Sequence, residues 1–166
     1  MLNQDFFITQ FNSALNNIDK RKFDKAGLLL YTGIVLDSVV IKVYKPGWSN
    51  NIKEPLTAKS RIFFSVWINN KTIEENKLYY NIHALKLREL PGHTIQSRDF
   101  AERFRSQFKS QQKDWPNVNI DFGPLTLMEG WKTLNNDTIQ LDIIQLVKAF
   151  LNVSPIIDKV LSYYSN

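Results

Sequence analysis

The chain of 166 residues contains no cysteine, and this absence removes several kinds of site at once. Without thiols there is no disulfide, no cysteine-ligated zinc, no iron–sulfur cluster and no thiol nucleophile. A chain of this length can bury a core that is stable without cross-links, so the lack of cysteine is consistent with a reducing compartment. We expect a cytoplasmic protein.

Motifs that hold cofactors or carry out familiar chemistry are also missing. The sequence has no glycine-rich nucleotide loop, no H-E-x-x-H pair and no G-x-S-x-G turn. Its two histidines, His83 and His93, are too few to make up a zinc site. Asp37, Lys42 and Glu54 are near one another in the sequence, but their spacing does not match the converging groups of a metal-dependent nuclease. We predict neither a metal nor a cofactor.

Long apolar runs are absent as well. No uninterrupted apolar stretch approaches the roughly 18 residues that cross a bilayer. The first residues also lack the basic-then-apolar pattern of a signal peptide. We therefore expect no membrane partner.

The composition that remains is typical of a globular protein, with 43% hydrophobic and 22% charged residues. The aromatic content of 13%, led by eleven Phe, is high. Most of these rings should lie in the core, and a few on a concave face would be enough for a ligand site. No repeat or low-complexity linker interrupts the chain, so residues 1–166 are predicted to form a single domain. Its many Asn, Ile and Lys residues suggest an AT-rich, bacterial genome.

Hydrophobic periodicity predicts the order of the helices and strands. Spacings of three and four residues predict helices at 3–19, 97–113, 139–150 and 156–164. Alternation predicts a two-stranded hairpin at 27–45 and strands at 61–69, 78–87 and 117–124, followed by a strand or a tight loop at 125–131. This order indicates an α+β single domain, with an antiparallel-rich sheet of about five strands and helices packed mainly on one face. One amphipathic helix at 24–43 is the alternative to the hairpin, and Pro46-Gly47 should end either element.

One face of the strand at 61–69 mixes aromatic and polar side chains. Its other face is apolar and should lie in the core, whereas Phe63, Ser65 and Trp67 alternate with it. If the strand at 78–87 pairs antiparallel with 61–69, Asn81 and His83 share a face with Trp67. A mixed face of this kind indicates either a partly covering helix or a bound ligand.

The predicted helix at 97–113 belongs to the most basic part of the chain, since residues 86–113 carry a net charge of +4. This region is predicted to bind a polyanion such as nucleic acid, with Trp67, Tyr79 and Trp115 stacking on the bases. The cations predicted to bind the phosphates are Arg98, Arg103, Arg105 and Lys109. This is the leading hypothesis for function. The alternative is an ordinary solvated helix surface.

The second hypothesis is a small-molecule enzyme or ligand-binding domain. Its pocket would lie around His83, Asn81, Trp67 and Arg103. The catalytic residues would be His83 and Asp121, in an acid–base arrangement with an arginine from the helix at 98–105. The alternative for His83 is a partly buried strand histidine that is satisfied by hydrogen bonds.

The third hypothesis is a homo-oligomeric interaction module. The C-terminal helices, within 139–164, carry an unusually wide apolar arc that would suit a homodimer. Burial of that arc within one chain explains the same pattern.

Overall fold

A five-stranded antiparallel sheet forms the centre of the computed structural model, which describes residues 3–166. The strands lie in the sheet in chain order, and each neighbouring pair is antiparallel. They are β1 (Leu29–Val35), β2 (Ser38–Ser49), β3 (Arg61–Ile68), β4 (Lys77–Leu85) and β5 (Thr126–Thr133). The predicted α+β class is confirmed, and so is the hairpin, since β1 and β2 are strands.

The helices cover one face of this sheet. They are α1 (Gln4–Asn16), α2 (Arg21–Lys25), α3 (Asn70–Glu74), α4 (Ser97–Phe108), α5 (Ile139–Phe150) and α6 (Ser154–Tyr163). Three short 3-10 turns lie at Pro55–Thr57, Leu87–Glu89 and Gln112–Asp114. The apolar stripes of the longer helices join one core with alternate residues of the strands, including Ile41, Phe64 and Ile82.

Two local predictions were wrong. Pro46-Gly47 does not end the second strand, because β2 continues to Ser49 beyond an interruption of its pairing with β3 after Tyr44. Proline is tolerated there because no ladder bond is required of its nitrogen. Residues 117–124 do not form a strand, and only Asn119 makes an isolated bridge, with Glu129 of β5.

The wide apolar arc of the C-terminal helices is used largely within the chain. Buried members are Ile139, Ile143, Leu146, Val147, Phe150, Ile157, Val160 and Leu161. Leu141 and Tyr163 are the large apolar side chains of these helices that remain exposed. By length and composition alone, the stretch Ile139–Tyr163 could cross a membrane. Core helices of soluble proteins pass the same test, so this is weak evidence for a membrane span.

A close approach at Gly130 holds β5 against the core. The Tyr80 hydroxyl donates a hydrogen bond to the Pro116 carbonyl oxygen at 2.6 Å and lies against Gly130 on the neighbouring strand. A Cβ atom at Gly130 would overlap the Tyr80 ring and lie 2.9 Å from the same carbonyl oxygen. The backbone of the segment after α4 therefore packs directly on a glycine.

We expect Gly130→Ala to lower the free energy of unfolding by about 1–3 kcal/mol, because the overlap involves backbone and cannot be relieved by rotating one flexible side chain. Urea denaturation measures the change. Gly47→Ala is the matched control, because a Cβ atom there meets nothing within 4 Å. An equal effect of the two substitutions would contradict the close-packing explanation.

Candidate functional site

The face of the sheet opposite the helices carries three cross-strand rows of side chains. We call this surface the open face. The register of β2, β3, β4 and β5 places Lys42, Ser65, Asn81 and Glu129 in a polar row. It places Trp67, Tyr79 and Trp131 in an aromatic row on one side, and Tyr44, Phe63 and His83 in a third row on the other. In the described part of the chain, no helix contributes its buried apolar residues to this face.

At one end of the polar row, hydrogen bonds link the side chains of three neighbouring strands. Ser65 Oγ donates to Asn81 Oδ1 at 2.6 Å, and Asn81 Nδ2 donates to Glu129 Oε1 at 3.1 Å. Ser65 and Asn81 are only 4% and 3% exposed. Burying a polar group costs free energy unless the group is hydrogen-bonded. These two hydrogen bonds therefore stabilise the arrangement of the three strands.

The other end of the row is different, because Lys42 has no hydrogen-bond or ion-pair partner among the described residues. The side chain is 7% exposed, and its Nζ lies 4.5 Å from the centre of the Phe63 ring. Glu129 is three strands away, about 14 Å between Cα atoms at the usual strand spacing, which is too far for an ion pair. Burial lowers the pKa of the Lys42 ammonium, and the charge of Arg61 lowers it further.

Arg61 places a second cation beside the same ring. Its Cζ lies 5.2 Å from the Phe63 centroid, and its Nη1 donates to the Ala58 carbonyl oxygen. Among residues 3–166, neither its buried Nε nor the buried Nε1 of Trp67 has a hydrogen-bond acceptor. Burial lowers the pKa of the Arg61 guanidinium. The open face therefore carries an unpaired ammonium and two unsatisfied N–H donors.

His83 lies on the far side of Phe63, with its ring centroid 5.3 Å from that of the phenyl ring. Its Nδ1 is 3.4 Å from both the Leu125 carbonyl oxygen and Thr126 Oγ1. Burial lowers the pKa of His83, and the Leu125 carbonyl and Glu129 oppose this effect only in part. The imidazole is therefore held neutral over more of the pH range than a free histidine.

These groups line a shallow depression of about 490 Å³. Phe63 and Val40 are buried in its lining, although neither belongs to the helix-covered core. Lys42, Arg61, Trp67 and His83 contribute the remaining chemistry. The arrangement can hold a negatively charged group beside planar apolar surface.

The structure brings together three of the residues predicted from the sequence. Asn81 pairs with Ser65, His83 pairs with Phe63, and Trp67 pairs with Tyr79, all on the open face. Asn81 and Trp67 line the depression together with His83.

The four predicted cations of α4 do not join them, because the phenylalanines of this helix pack in the core on the opposite side of the sheet. Arg103 Nε bonds Asp99 at 3.1 Å, and its guanidinium lies 3.6 Å from the centroid of Tyr163. Arg105 donates to backbone carbonyl oxygens of Gly123, Thr126 and Leu127. Arg98 and Lys109 are exposed on the helix surface.

Asp121 is also separate from His83. It is exposed in the segment before β5, where its charge acts on Arg105, and its side chain makes no hydrogen bond to His83. The predicted arrangement of His83, Asp121 and a helix arginine is therefore not assembled. The carboxylate that shares the depression with the imidazole is Glu129.

Lys42 and Glu129 were not recognised as site residues from the sequence. A signal for Lys42 existed in the run VVIKVYK, where alternation points Ile41 and Val43 into the core and Lys42 away from it. Nothing in the sequence showed that the lysine would be buried. The burial of Lys42 depends on Arg61 and Phe63, which lie on the neighbouring strand β3.

Comparisons with protein-family models, with curated proteins and with solved structures found no match to this chain. Among residues 3–166, no group of three acidic or histidine side chains is placed to hold a metal ion. The functional argument therefore depends on the open face itself.

The position of His83 makes stability depend on pH. In the unfolded chain His83 binds a proton near pH 6.5, whereas in the folded chain His83 binds it only at lower pH. The folded protein is therefore expected to lose stability as the pH falls below about 6.5. Urea denaturation between about pH 7.5 and 5 should show a smaller loss in His83→Gln than in the wild type.

The neighbouring titratable and charged groups, Lys42, Arg61 and Glu129, stay in place in that variant. His93→Gln controls for the loss of an imidazole elsewhere in the chain. If the free energy of unfolding falls by the same amount in His83→Gln and in the wild type over this pH range, burial does not lower the pKa of His83.

Proposed function

We propose that the open face binds a small organic anion, a carboxylate or phosphate attached to a planar apolar group. The observation that carries this proposal is Lys42, a largely buried lysine whose ammonium has no anion beside it among residues 3–166. Buried charges in proteins are almost always paired, because an isolated ion loses its hydration without compensation. A bound anion would supply the missing charge.

The surroundings of Lys42 support this ligand class. Arg61 adds a second cation that lines the depression beside the Phe63 ring, and an anionic oxygen would accept hydrogen bonds from its guanidinium. The half-buried ring of Trp67 offers apolar surface for a planar group. The volume of about 490 Å³ is within the range of small-molecule sites.

We expect benzoate to bind at least about tenfold more tightly than benzamide, which has the same ring but no charge. Trp67 lies in the depression, so tryptophan fluorescence can follow the titration, with calorimetry as a second measurement. Lys42→Met should weaken benzoate binding by about tenfold or more, whereas Lys132→Met, at a lysine paired with Asp142 at 3.0 Å, should not. Equal binding of benzoate and benzamide would count against an anion site.

Removal of the buried charge should not destabilise the fold. We expect Lys42→Met to leave the free energy of unfolding unchanged or to raise it by roughly 1 kcal/mol, because the substitution replaces an unpaired ammonium by an apolar side chain of similar length. Lys132→Met, which breaks a partly buried ion pair, should lower it by about 1–3 kcal/mol. Loss of stability in Lys42→Met would indicate a structural role for the lysine.

A second candidate is single-stranded nucleic acid on the same face. It is favoured by the aromatic row, in which Trp67 and Tyr79 stack with centroids 5.1 Å apart, and Lys77 Nζ lies 4.4 Å from the centroid of Trp131. Half-exposed rings beside cations suit base stacking. The phosphate partners would then be cations of the sheet, because those of α4 lie on the other side.

A labelled oligonucleotide separates the two candidates. If nucleic acid is the ligand, its binding should weaken steeply with salt and fall in Lys77→Ala and Trp131→Ala, whereas benzoate binding should be unaffected by both. The double variant Arg103→Ala/Arg105→Ala should leave oligonucleotide binding unchanged. An oligonucleotide that does not bind at low salt would remove this candidate.

A further inference from the structure

The side-chain amine of Lys42 has the surroundings of a nucleophile as well as those of an anion-binding cation. Lysine becomes nucleophilic when it is desolvated in an apolar pocket or placed next to another cation, because both conditions favour the neutral amine. Lys42 meets both, since it is 7% exposed against the Phe63 ring and has Arg61 beside the same ring. Burial lowers its pKa accordingly.

A largely buried structural lysine usually has a carboxylate beside its ammonium. Among residues 3–166 Lys42 has none, since its row neighbour Ser65 gives its proton to Asn81, and Glu129 is held by Asn81 at the far end of the row. The Lys42 Nζ keeps some contact with solvent, because it is not among the fully buried polar atoms without a partner. The lysine lines the depression, so a ligand in it can reach the amine.

We propose that Lys42 forms an imine with a small carbonyl acid, such as a 2-oxo acid, that binds in the depression. This inference rests on the proposed anion-binding function and names the chemistry of that same site. A 2-oxo acid carries a carboxylate next to its carbonyl carbon. Arg61 would hold the carboxylate through its guanidinium, which places the adjacent carbonyl near Lys42, because both cations lie over the Phe63 ring.

The reaction is balanced without an oxidant or a reductant. The nitrogen lone pair of the neutral Lys42 amine forms a bond to the carbonyl carbon, and the carbonyl oxygen takes up a proton. The resulting carbinolamine loses its hydroxyl group as water as the carbon–nitrogen double bond forms. Protons released by nitrogen return to the leaving oxygen through solvent or through His83, the imidazole of the same depression.

The inference is tested by reductive trapping on the intact chain. Benzoylformate combines a ring, a carboxylate and a ketone, and mandelate is the same molecule with the ketone reduced to a hydroxyl group. We incubate the protein with benzoylformate near neutral pH, reduce with sodium cyanoborohydride, and map adducts by peptide mass spectrometry. Lys42 should be labelled about tenfold more than Lys77, which lies on the same face over Trp131. Mandelate should suppress this labelling.

Variants separate the amine from its charge. Lys42→Arg keeps a cation but cannot form an imine, so it should bind benzoate within about threefold of the wild type and form no adduct at position 42. Arg61→Gln should reduce the adduct at Lys42 by about tenfold at subsaturating benzoylformate. Circular dichroism checks that each variant is folded. The mapping of adducts on the wild-type protein tests the inference without any variant.

The outcomes distinguish this inference from the function on which it rests. If benzoate and mandelate bind but the adducts are spread evenly over the lysines, imine formation at Lys42 is overturned and the anion site stands. If neither anion binds, both are overturned. Selective labelling of Lys42 that mandelate suppresses supports both.

Discussion

Helices cover only one face of this antiparallel sheet, and the rest of the structure follows from that constraint. Each strand of a sheet sends alternate side chains to opposite faces, so half of the residues in β2, β3 and β4 lie in the helix-covered core. The other half must be shielded by one another. On the open face Phe63 is buried beneath the side chains around it, two of which are the cations Lys42 and Arg61.

Buried polar groups of the open face are fully hydrogen-bonded at one end of the polar row and only partly at the other. Ser65, Asn81 and Glu129 satisfy one another across three strands, as buried polar groups in a stable fold do. Nearby on β2 and β3, Lys42, Arg61 and Trp67 have N–H donors for which the described part of the chain supplies no acceptor. Departures from local consistency of this kind are expected where a protein binds or transforms a ligand, since the ligand supplies the missing groups. The contrast within one face is therefore informative.

Two arginines of the basic helix have structural roles that charge in the sequence does not reveal. Arg105 is used to bond carbonyl oxygens at the start of β5, and Arg103 is used by Asp99 and by Tyr163. These arginines stabilise the edge of the sheet and the contact with α6. The cation that stands out physically is Lys42, one lysine in a β-branched strand, which no count of charges would single out.

By itself, the sequence determined the elements and the two faces of the strands. The apolar period of three to four residues predicted α1, α4, α5 and α6, and alternation assigned Ile62 and Phe64 to the core and Trp67 to the other side. These features are local, because they depend on spacing along one element. The tertiary structure decided the rest. Whether Lys42 stands beside Phe63, whether His83 faces Glu129 or Asp121, and on which side α4 packs depend on strand register and helix placement. Those are set by the packing of residues far apart in the chain, which spacing along a single strand or helix does not encode.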